Sequence, residues 1–240
     1  MAEIITILLL SLMAGAAMPI GALLAKFDLV HPSLLGDSWR HFIIAFGGGA
    51  LMSAVALVLV PEGASKLPLV PAALCFAAGG VCFYFLDAYL KKLNSSVGQL
   101  VAMLSDFIPE AIALGAAFAA GEATGLLLAL LMILQNLPEG FNAYEELSNN
   151  NTQLSSNKII LAFSGLALVG PISAATGYYV LAQYDVLMGA LMLFASAGIL
   201  YLVFQDIAPG SKLEQHGMPA IGAVAGFLLG LMGNMVLLAS

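Results

Sequence analysis

The chain is a series of long apolar segments separated by short polar stretches. A helix needs roughly 20 apolar residues to cross the hydrocarbon core of a bilayer. Backbone groups at that depth must be satisfied within the segment, so segments of this length are expected to be helices. Eight segments meet the requirement, at residues 4–25, 41–61, 69–90, 99–120, 123–144, 158–181, 186–207 and 217–238. Because the loops between them are too short to fold separately, the pattern predicts an all-α integral membrane protein with eight transmembrane helices and a single transmembrane domain over 1–240.

The composition agrees with this prediction. Hydrophobic residues make up 61% of the chain and charged residues only 9%, whereas a soluble domain is about 25% charged. Lys and Arg number 7 and Asp and Glu 14, which gives a net charge of −7. These values exclude a soluble enzyme, a disordered chain and a nucleic-acid binder. Two cysteines are too few for a disulfide framework or a thiolate metal cluster. The lipid bilayer is therefore the first expected partner.

The basic residues indicate an orientation. If the eight segments alternate in direction, only Lys66 falls on one side, and the other six basic residues fall on the opposite side: Lys26, Arg40, Lys91, Lys92, Lys158 and Lys212. The positive-inside rule places those six in the cytoplasm, so both termini are expected to be extracytoplasmic. The first segment carries Glu3 in place of a basic n-region, which favours a membrane helix over a signal peptide. The membrane is then the cytoplasmic (inner) membrane of a bacterium or a plasma membrane.

Three acidic residues fall inside the predicted spans, namely Asp106 and Glu110 in span four and Glu139 in span five. A charged side chain at the bilayer centre costs about 2.5–3.5 kcal/mol on insertion scales. Neither span contains Lys or Arg, so a metal ion or protons must supply the compensating charge.

The acids belong to two similar segments, each with a polar residue, two further residues, Pro-Glu and a small residue. Asp106 and Glu110 are four residues apart, and Gln135 and Glu139 repeat that spacing, so each pair lies on one helix face. The proline in each segment disturbs the helix and frees a backbone carbonyl. Disturbed helices that carry polar groups at the midplane are typical of ion sites in transporters. Oxygen ligands of this kind suit divalent cations, and the sequence predicts such a site between spans four and five.

Span five extends the polar face toward the cytoplasm. Gln135, Glu139, Asn142 and Glu146 follow one another at spacings of four, three and four residues, which indicates an exit path. The alternative is that Asn142 and Glu146 are the solvated end of the helix. Ser105, beside the first acid of span four, is a further and weaker candidate for the path.

The two segments resemble motifs of the ZIP (Zrt/Irt-like) family of divalent-metal transporters. In that family span four carries a His-Asn-x-Pro-Glu-Gly type motif and span five a His/Gln-Asn/Asp-x-Pro-Glu type motif. The corresponding segments here are Asp106-Phe107-Ile108-Pro109-Glu110-Ala111 and Gln135-Asn136-Leu137-Pro138-Glu139-Gly140. Other family-like segments are Leu59-Val60-Pro61-Glu62, Ser164-Gly165-Leu166-Ala167, Gly170-Pro171, Ala197-Gly198 with Tyr201, and Asp206-Ile207-Ala208-Pro209. Eight spans and two extracytoplasmic termini also match the family.

The resemblance implies a first metal position formed by four residues, with Asp106 where the family has histidine: Asp106, Glu110, Gln135 and Glu139. A register shift that puts Ser105 at the histidine position breaks the four-residue spacing to Glu110.

A second, adjacent position in the family draws on an Asn of span four and a Glu of span six. Those places hold Phe107 and Gly170 here, which leaves Asn136 and the two shareable glutamates. We therefore expect one ion, bound mainly at the first position.

These features together predict a divalent transition-metal cation transporter that moves metal into the cytoplasm, with Zn²⁺, Fe²⁺, Mn²⁺ or Cd²⁺ as the transported ion. We expect no resident cofactor and no enzymatic activity, since the sequence lacks a His-Glu-x-x-His or comparable catalytic pattern. Carboxylate and amide ligands suit manganese and iron better than zinc, so weaker zinc selectivity than is usual in the family is expected. The alternatives are a metal-binding membrane sensor and a degenerate homologue that does not transport. The oligomeric state stays open, with a homodimer as one alternative.

Overall fold

A computed structural model describes residues 2–30, 36–93, 96–119, 124–149, 154–212 and 217–239. Throughout these ranges the backbone is helical apart from short turns, and none of it forms a strand. The prediction of an all-α protein is confirmed. Seven helices in these ranges are long and apolar enough to cross a membrane, which supports an integral membrane protein.

Eight helical segments are labelled here in chain order, and each contains most of one predicted span. They are α1 (Ala2–Val30), α2 (Asp37–Ala54, Val55–Leu59 and Val60–Ser65), α3 (Leu69–Leu93), α4 (Ser96–Ala119), α5 (Thr124–Asn149), α6 (Ser156–Ala167, Val169–Thr176 and Gly177–Leu181), α7 (Asp185–Leu202, Val203–Ile207 and Ala208–Gly210) and α8 (Met218–Ala239). The seven candidate spans lie in all of these segments except α4. Helix α4 is continuous over 24 residues, or about 36 Å at 1.5 Å per residue.

Two of the helices contain a widened turn shortly before a proline. In α2 the π-helical turn Val55–Leu59 precedes Pro61, and in α7 the turn Val203–Ile207 precedes Pro209. A proline lacks the N–H that would bond to the carbonyl four residues back, and its ring collides with that carbonyl. The wider turn accommodates the ring, because the N–H of the residue before the proline bonds to the carbonyl five residues back instead of four. These bonds join Val60 to Val55 and Ala208 to Val203. Apolar segment length does not reveal such turns, and the sequence analysis did not predict them.

The helices pack in two sets. Helix α1 packs against α5 and α6, and α4 also packs against both of these helices. In the other set α2 packs against α8 and α7, and α3 packs against α7. The sets meet where α5 contacts α2 and α8 and where α4 contacts α7. Helix α5 is therefore surrounded by protein on several sides, which buries its polar face.

Small residues allow the closest helix contacts. A methyl group added at Gly140 in α5 would overlap the backbone of Met18 in α1, and one added at Gly21 would overlap the carbonyl of Leu137. A methyl group at Gly226 in α8 would overlap the Phe46 carbonyl of α2. Glycine at such positions lets backbones touch directly, so α1 holds α5 at a fixed distance.

Polar contacts at the helix ends show that the helices alternate in direction. One end of the bundle holds the contacts Arg40–Glu145 at 3.2 Å, Lys26–Asn157 at 3.1 Å and Lys91–Asp206 at 3.5 Å. The other end holds Lys66–Asp185 at 3.1 Å and Tyr178–Glu3 at 3.3 Å. Because α3 and α5 both finish at the first end, α4 leads from that end to the start of α5 at the other.

Candidate functional site

The predicted site residues lie halfway along α4 and α5. Asp106 and Glu110 occupy the middle of α4, and Gln135 and Glu139 the middle of α5. Both helices continue through their internal prolines, so the two pairs keep their helical four-residue spacing. Helices α4 and α5 pack against each other, which brings the two polar faces together inside the bundle.

Most of these side chains are shielded from the surroundings of the bundle. The exposed fraction is 0% for Glu110, 1% for Gln135, 1% for Asn136 and 5% for Asp106. Glu139 is half-buried as a residue, but its Oε2 atom is enclosed. Charged and amide side chains are seldom buried without partners, so the contacts they make are informative.

The central contact is a hydrogen bond between the two helices. Gln135 Nε2 donates to Glu110 Oε2 at 2.5 Å. Among the described residues no partner is found for three enclosed oxygens, Glu110 Oε1, Gln135 Oε1 and Glu139 Oε2. Oxygens that can only accept, and that lack a donor, match the ligands of a hard or borderline divalent cation.

The electrostatics of the site also favour a cation. Asp106 and Glu110 lie within electrostatic range of each other, and Glu139 lies within range of both. Neither α4 nor α5 contains Lys or Arg, and like charges repel strongly where the dielectric is low. A bound cation or protons must offset this repulsion. In the parts of the chain that the structure describes, no three His, Cys, Asp or Glu side chains stand close enough together to hold a metal ion. The partnerless amide oxygen of Gln135 is available beside the carboxylates, and a ligand set formed here would need it or a closer approach of the acids.

Asn136 makes its contact on a different side of α5. Its Nδ2 atom donates to the carbonyl oxygen of Ala14 at 2.9 Å, which ties α5 to α1. In α4, Asp106 Oδ1 accepts the N–H of Phe107 at 2.9 Å. One oxygen of Asp106 is thus held by its own helix, and the structure gives Asn136 a helix-packing contact in addition to its predicted place in the site.

Phe107 lies against Gly170 at the place where the resemblance puts the second ion. Both residues are buried. A methyl group added at Gly170 would lie 2.7 Å from Phe107 Cζ and 2.8 Å from the Ser11 carbonyl oxygen. The aromatic ring therefore fills the space between α4 and α6 with carbon atoms.

The remaining path candidates lie toward the end of α5. Asn142 is half-buried and Glu146 is exposed, and Glu146 lies within electrostatic range of Asp206 and Lys91. This arrangement fits an exit path and a solvated helix end equally well. In α4, Ser105 Oγ donates to the Val101 carbonyl at 2.7 Å, so this hydroxyl is already bonded within its own helix.

Sequence reasoning missed one charged cluster beside this end of α5. Lys91 Nζ lies 2.9 Å from Asp87 Oδ2 and 3.5 Å from Asp206 Oδ1, and Tyr201 donates to Asp87 Oδ2 at 2.9 Å. The four-residue spacing of Asp87 and Lys91 was an available signal for the first pair. The contact of Lys91 with Asp206 in α7 depends on how two helices pack. The spacing of residues along one helix does not predict it.

The chain matches no protein-family model, and no curated protein is significantly similar to it. The buried side chains of α4 and α5 and the motif resemblance are therefore the basis for proposing a function.

Proposed function

We propose that the chain is a ZIP-type transporter that moves a divalent transition-metal cation into the cytoplasm through a site between α4 and α5. The observation that carries the proposal is the buried Glu110–Gln135 pair: one oxygen of each residue, together with Glu139 Oε2, has no donor among the described residues. Carboxylates are costly in a membrane protein and are typically kept there for ion pathways or proton relays. A sensor at the membrane surface has no need of such groups halfway along its helices.

The proposed topology has eight spans with both termini extracytoplasmic. Helix α4 counts as a span because it leads from one end of the bundle to the other, between ends fixed by Lys91–Asp206 and Lys66–Asp185. The end that holds Arg40, Lys26 and Lys91 faces the cytoplasm by the positive-inside rule. The membrane is then a bacterial cytoplasmic membrane or a plasma membrane.

The residues have distinct roles in the proposed mechanism. An incoming cation loses water and gains the oxygens of Glu110, Gln135 and Glu139, whose negative charge replaces its hydration. Asp106 adds negative charge beside Glu110 and Glu139. The ion then leaves along the face of α5 that carries Asn142 and Glu146. Because every ligand atom is oxygen, Mn²⁺ and Fe²⁺ are favoured relative to the usual zinc preference of histidine-containing sites.

Metal uptake into proteoliposomes tests the proposal. Manganese, iron, cobalt, zinc and cadmium are screened with the unmodified chain, with Glu139→Ala and with a control, Glu3→Ala, in which an exposed acid at the start of α1 is removed. We expect saturable uptake that Glu139→Ala abolishes and Glu3→Ala leaves intact. Zinc that outcompetes manganese by a wide margin would contradict the oxygen-ligand preference.

The same preparation separates transport from binding alone. Metal binding that depends on Glu139, without uptake of any of the five metals, would reject the transporter. It would assign the chain as a membrane sensor or as a homologue that has lost transport.

A further inference from the structure

Two apolar grooves run along opposite sides of α8, each with a volume of about 700 Å³. The first lies between α5 and α8, and its lining consists of apolar residues and one glycine. The second lies between α2, α7 and α8. The two grooves thus have the same size and share a helix, and they differ in one respect.

Among the residues that the structure describes, only the second groove has a charged residue in its lining. All but two of its lining residues are apolar, glycine or proline, and the two exceptions are Ser211 and Lys212 at the end of α7. Ser211 Oγ donates to the Ala208 carbonyl at 3.0 Å, so its hydroxyl is bonded within the chain. Lys212 is exposed, and among the described lining residues it is the one that carries a charge.

The groove has the length of one bilayer leaflet. Along α8 its lining extends from Pro219 to Leu231, and the twelve helical steps between these residues span about 18 Å. Half of a hydrocarbon core is about 15 Å deep. The small residues Gly48, Gly49, Ala220 and Ala223 belong to its walls, which leaves room for a chain of methylene groups.

We propose that the second groove binds one anionic phospholipid, with an acyl chain along α8 and the phosphate at Lys212. Contact with the walls alone selects no particular lipid, because acyl chains are as apolar as the side chains they would touch. A lysine near the membrane surface does select, since it favours anionic headgroups about fivefold. The first groove takes an acyl chain without regard to its headgroup. This site is independent of the metal site in α4 and α5.

Competition between two lipids on the purified full chain tests this inference. The protein in detergent receives equal amounts of dioleoylphosphatidylglycerol and dioleoylphosphatidylcholine, and native mass spectrometry counts each bound lipid. The unmodified chain is expected to retain phosphatidylglycerol about fivefold more often. Lys212→Gln is expected to remove that preference without removing lipid binding. Lys158→Gln, at an exposed lysine outside the groove, is expected to leave the preference unchanged.

A groove-filling variant gives the second readout. Ala220 is exposed on the groove wall, so Ala220→Trp places an indole in the groove without disturbing a buried contact. We expect it to remove the phosphatidylglycerol preference while Lys212 is still present. An unchanged preference in Lys212→Gln, or an equal loss in Lys158→Gln, would overturn the proposal. A dimer that Ala220→Trp converts to a monomer, with lipid preference unchanged, would assign the groove to a second copy of the chain and likewise overturn it.

Discussion

At the scale of single residues, Gln135 holds the Glu110 carboxylate by a hydrogen bond. Its amide nitrogen donates to one carboxylate oxygen of Glu110, and its amide oxygen has no partner among the described residues. One residue therefore positions Glu110 as a donor and, in the proposed function, also offers an oxygen to the cation. Histidine, with two ring nitrogens, can combine the same two roles, whereas glutamate cannot donate when ionised.

Removal of this donor is expected to destabilise the protein. In Gln135→Leu the buried Glu110 carboxylate loses its partner, which costs about 1–3 kcal/mol or more. The double variant Gln135→Leu with Glu110→Leu removes both polar groups and is expected to recover much of that loss. Thermal unfolding in detergent measures the stability, and proteoliposome uptake is expected to be lost in both variants. A single variant as stable as the unmodified chain would show that the hydrogen bond is not needed.

The contact of Phe107 with Gly170 gives a second prediction for single residues. In Gly170→Ala the new methyl group meets the Phe107 ring and the Ser11 carbonyl within 3 Å, and overpacking of this kind costs about 1–3 kcal/mol. Gly165→Ala in the same helix is the matched control, because a methyl group there meets nothing within 4 Å. We expect the melting temperature to fall for Gly170→Ala only. Equal melting temperatures for the two variants would contradict the tight contact.

At the scale of helices, the hydrogen bond from Asn136 joins α5 to α1. A hydrogen bond between membrane helices contributes about 0.6 kcal/mol on average and up to about 2 kcal/mol. The glycine contacts between α1 and α5 lie on one side of this bond, since Gly140 and Gly21 are one to two turns C-terminal of it in their helices. Asn136 thus helps to fix the position of the helix that carries Gln135 and Glu139.

Two substitutions separate this positioning role from metal ligation. Asn136→Asp keeps a side-chain oxygen for metal but loses the N–H that donates to Ala14, whereas Asn136→Leu loses both. If the contact with α1 dominates, both variants unfold at a lower temperature, and neither changes the apparent affinity for manganese in uptake assays. Tighter manganese binding by Asn136→Asp would instead make Asn136 a ligand.

The helices were more predictable from sequence than the contacts of the site. Every span must be long enough to cross the bilayer, so the apolar segments located the helices. Some helix ends, such as Asp37 and Ser65, extend beyond the apolar segment. The four-residue spacing in α5 predicts one shared face for Gln135 and Glu139, and in the structure Gln135 is buried while Glu139 is half-buried. The hydrogen-bond partners of Gln135 and Asn136 depend on how neighbouring helices are rotated and how deep they lie in the membrane. A local sequence pattern does not predict these quantities. The lysine contact between α3 and α7 was missed for the same reason.

At the scale of the whole molecule, the crossing of α4 decides the topology. If α4 crosses the membrane, three spans separate the end of α2 from the start of α6, and those ends face opposite sides. If α4 does not cross, two spans separate them, and they face the same side. The acids in α4 lower its apolar character, so segment hydropathy is a weaker guide here than the end-to-end contacts of the bundle.

Cysteine labelling in intact cells distinguishes these topologies. The native cysteines Cys75 and Cys82 are first replaced by alanine, and single cysteines are then introduced as Ala64→Cys and Lys158→Cys, both at exposed positions. We expect a membrane-impermeant maleimide to label Ala64→Cys in intact cells and Lys158→Cys only after the membrane is opened. Labelling of both in intact cells, or of neither, would mean that α4 does not cross. In that case the acids of α4 would not lie at the midplane of a spanning helix, and the transport site would lose the ligand Glu110 and the charge of Asp106.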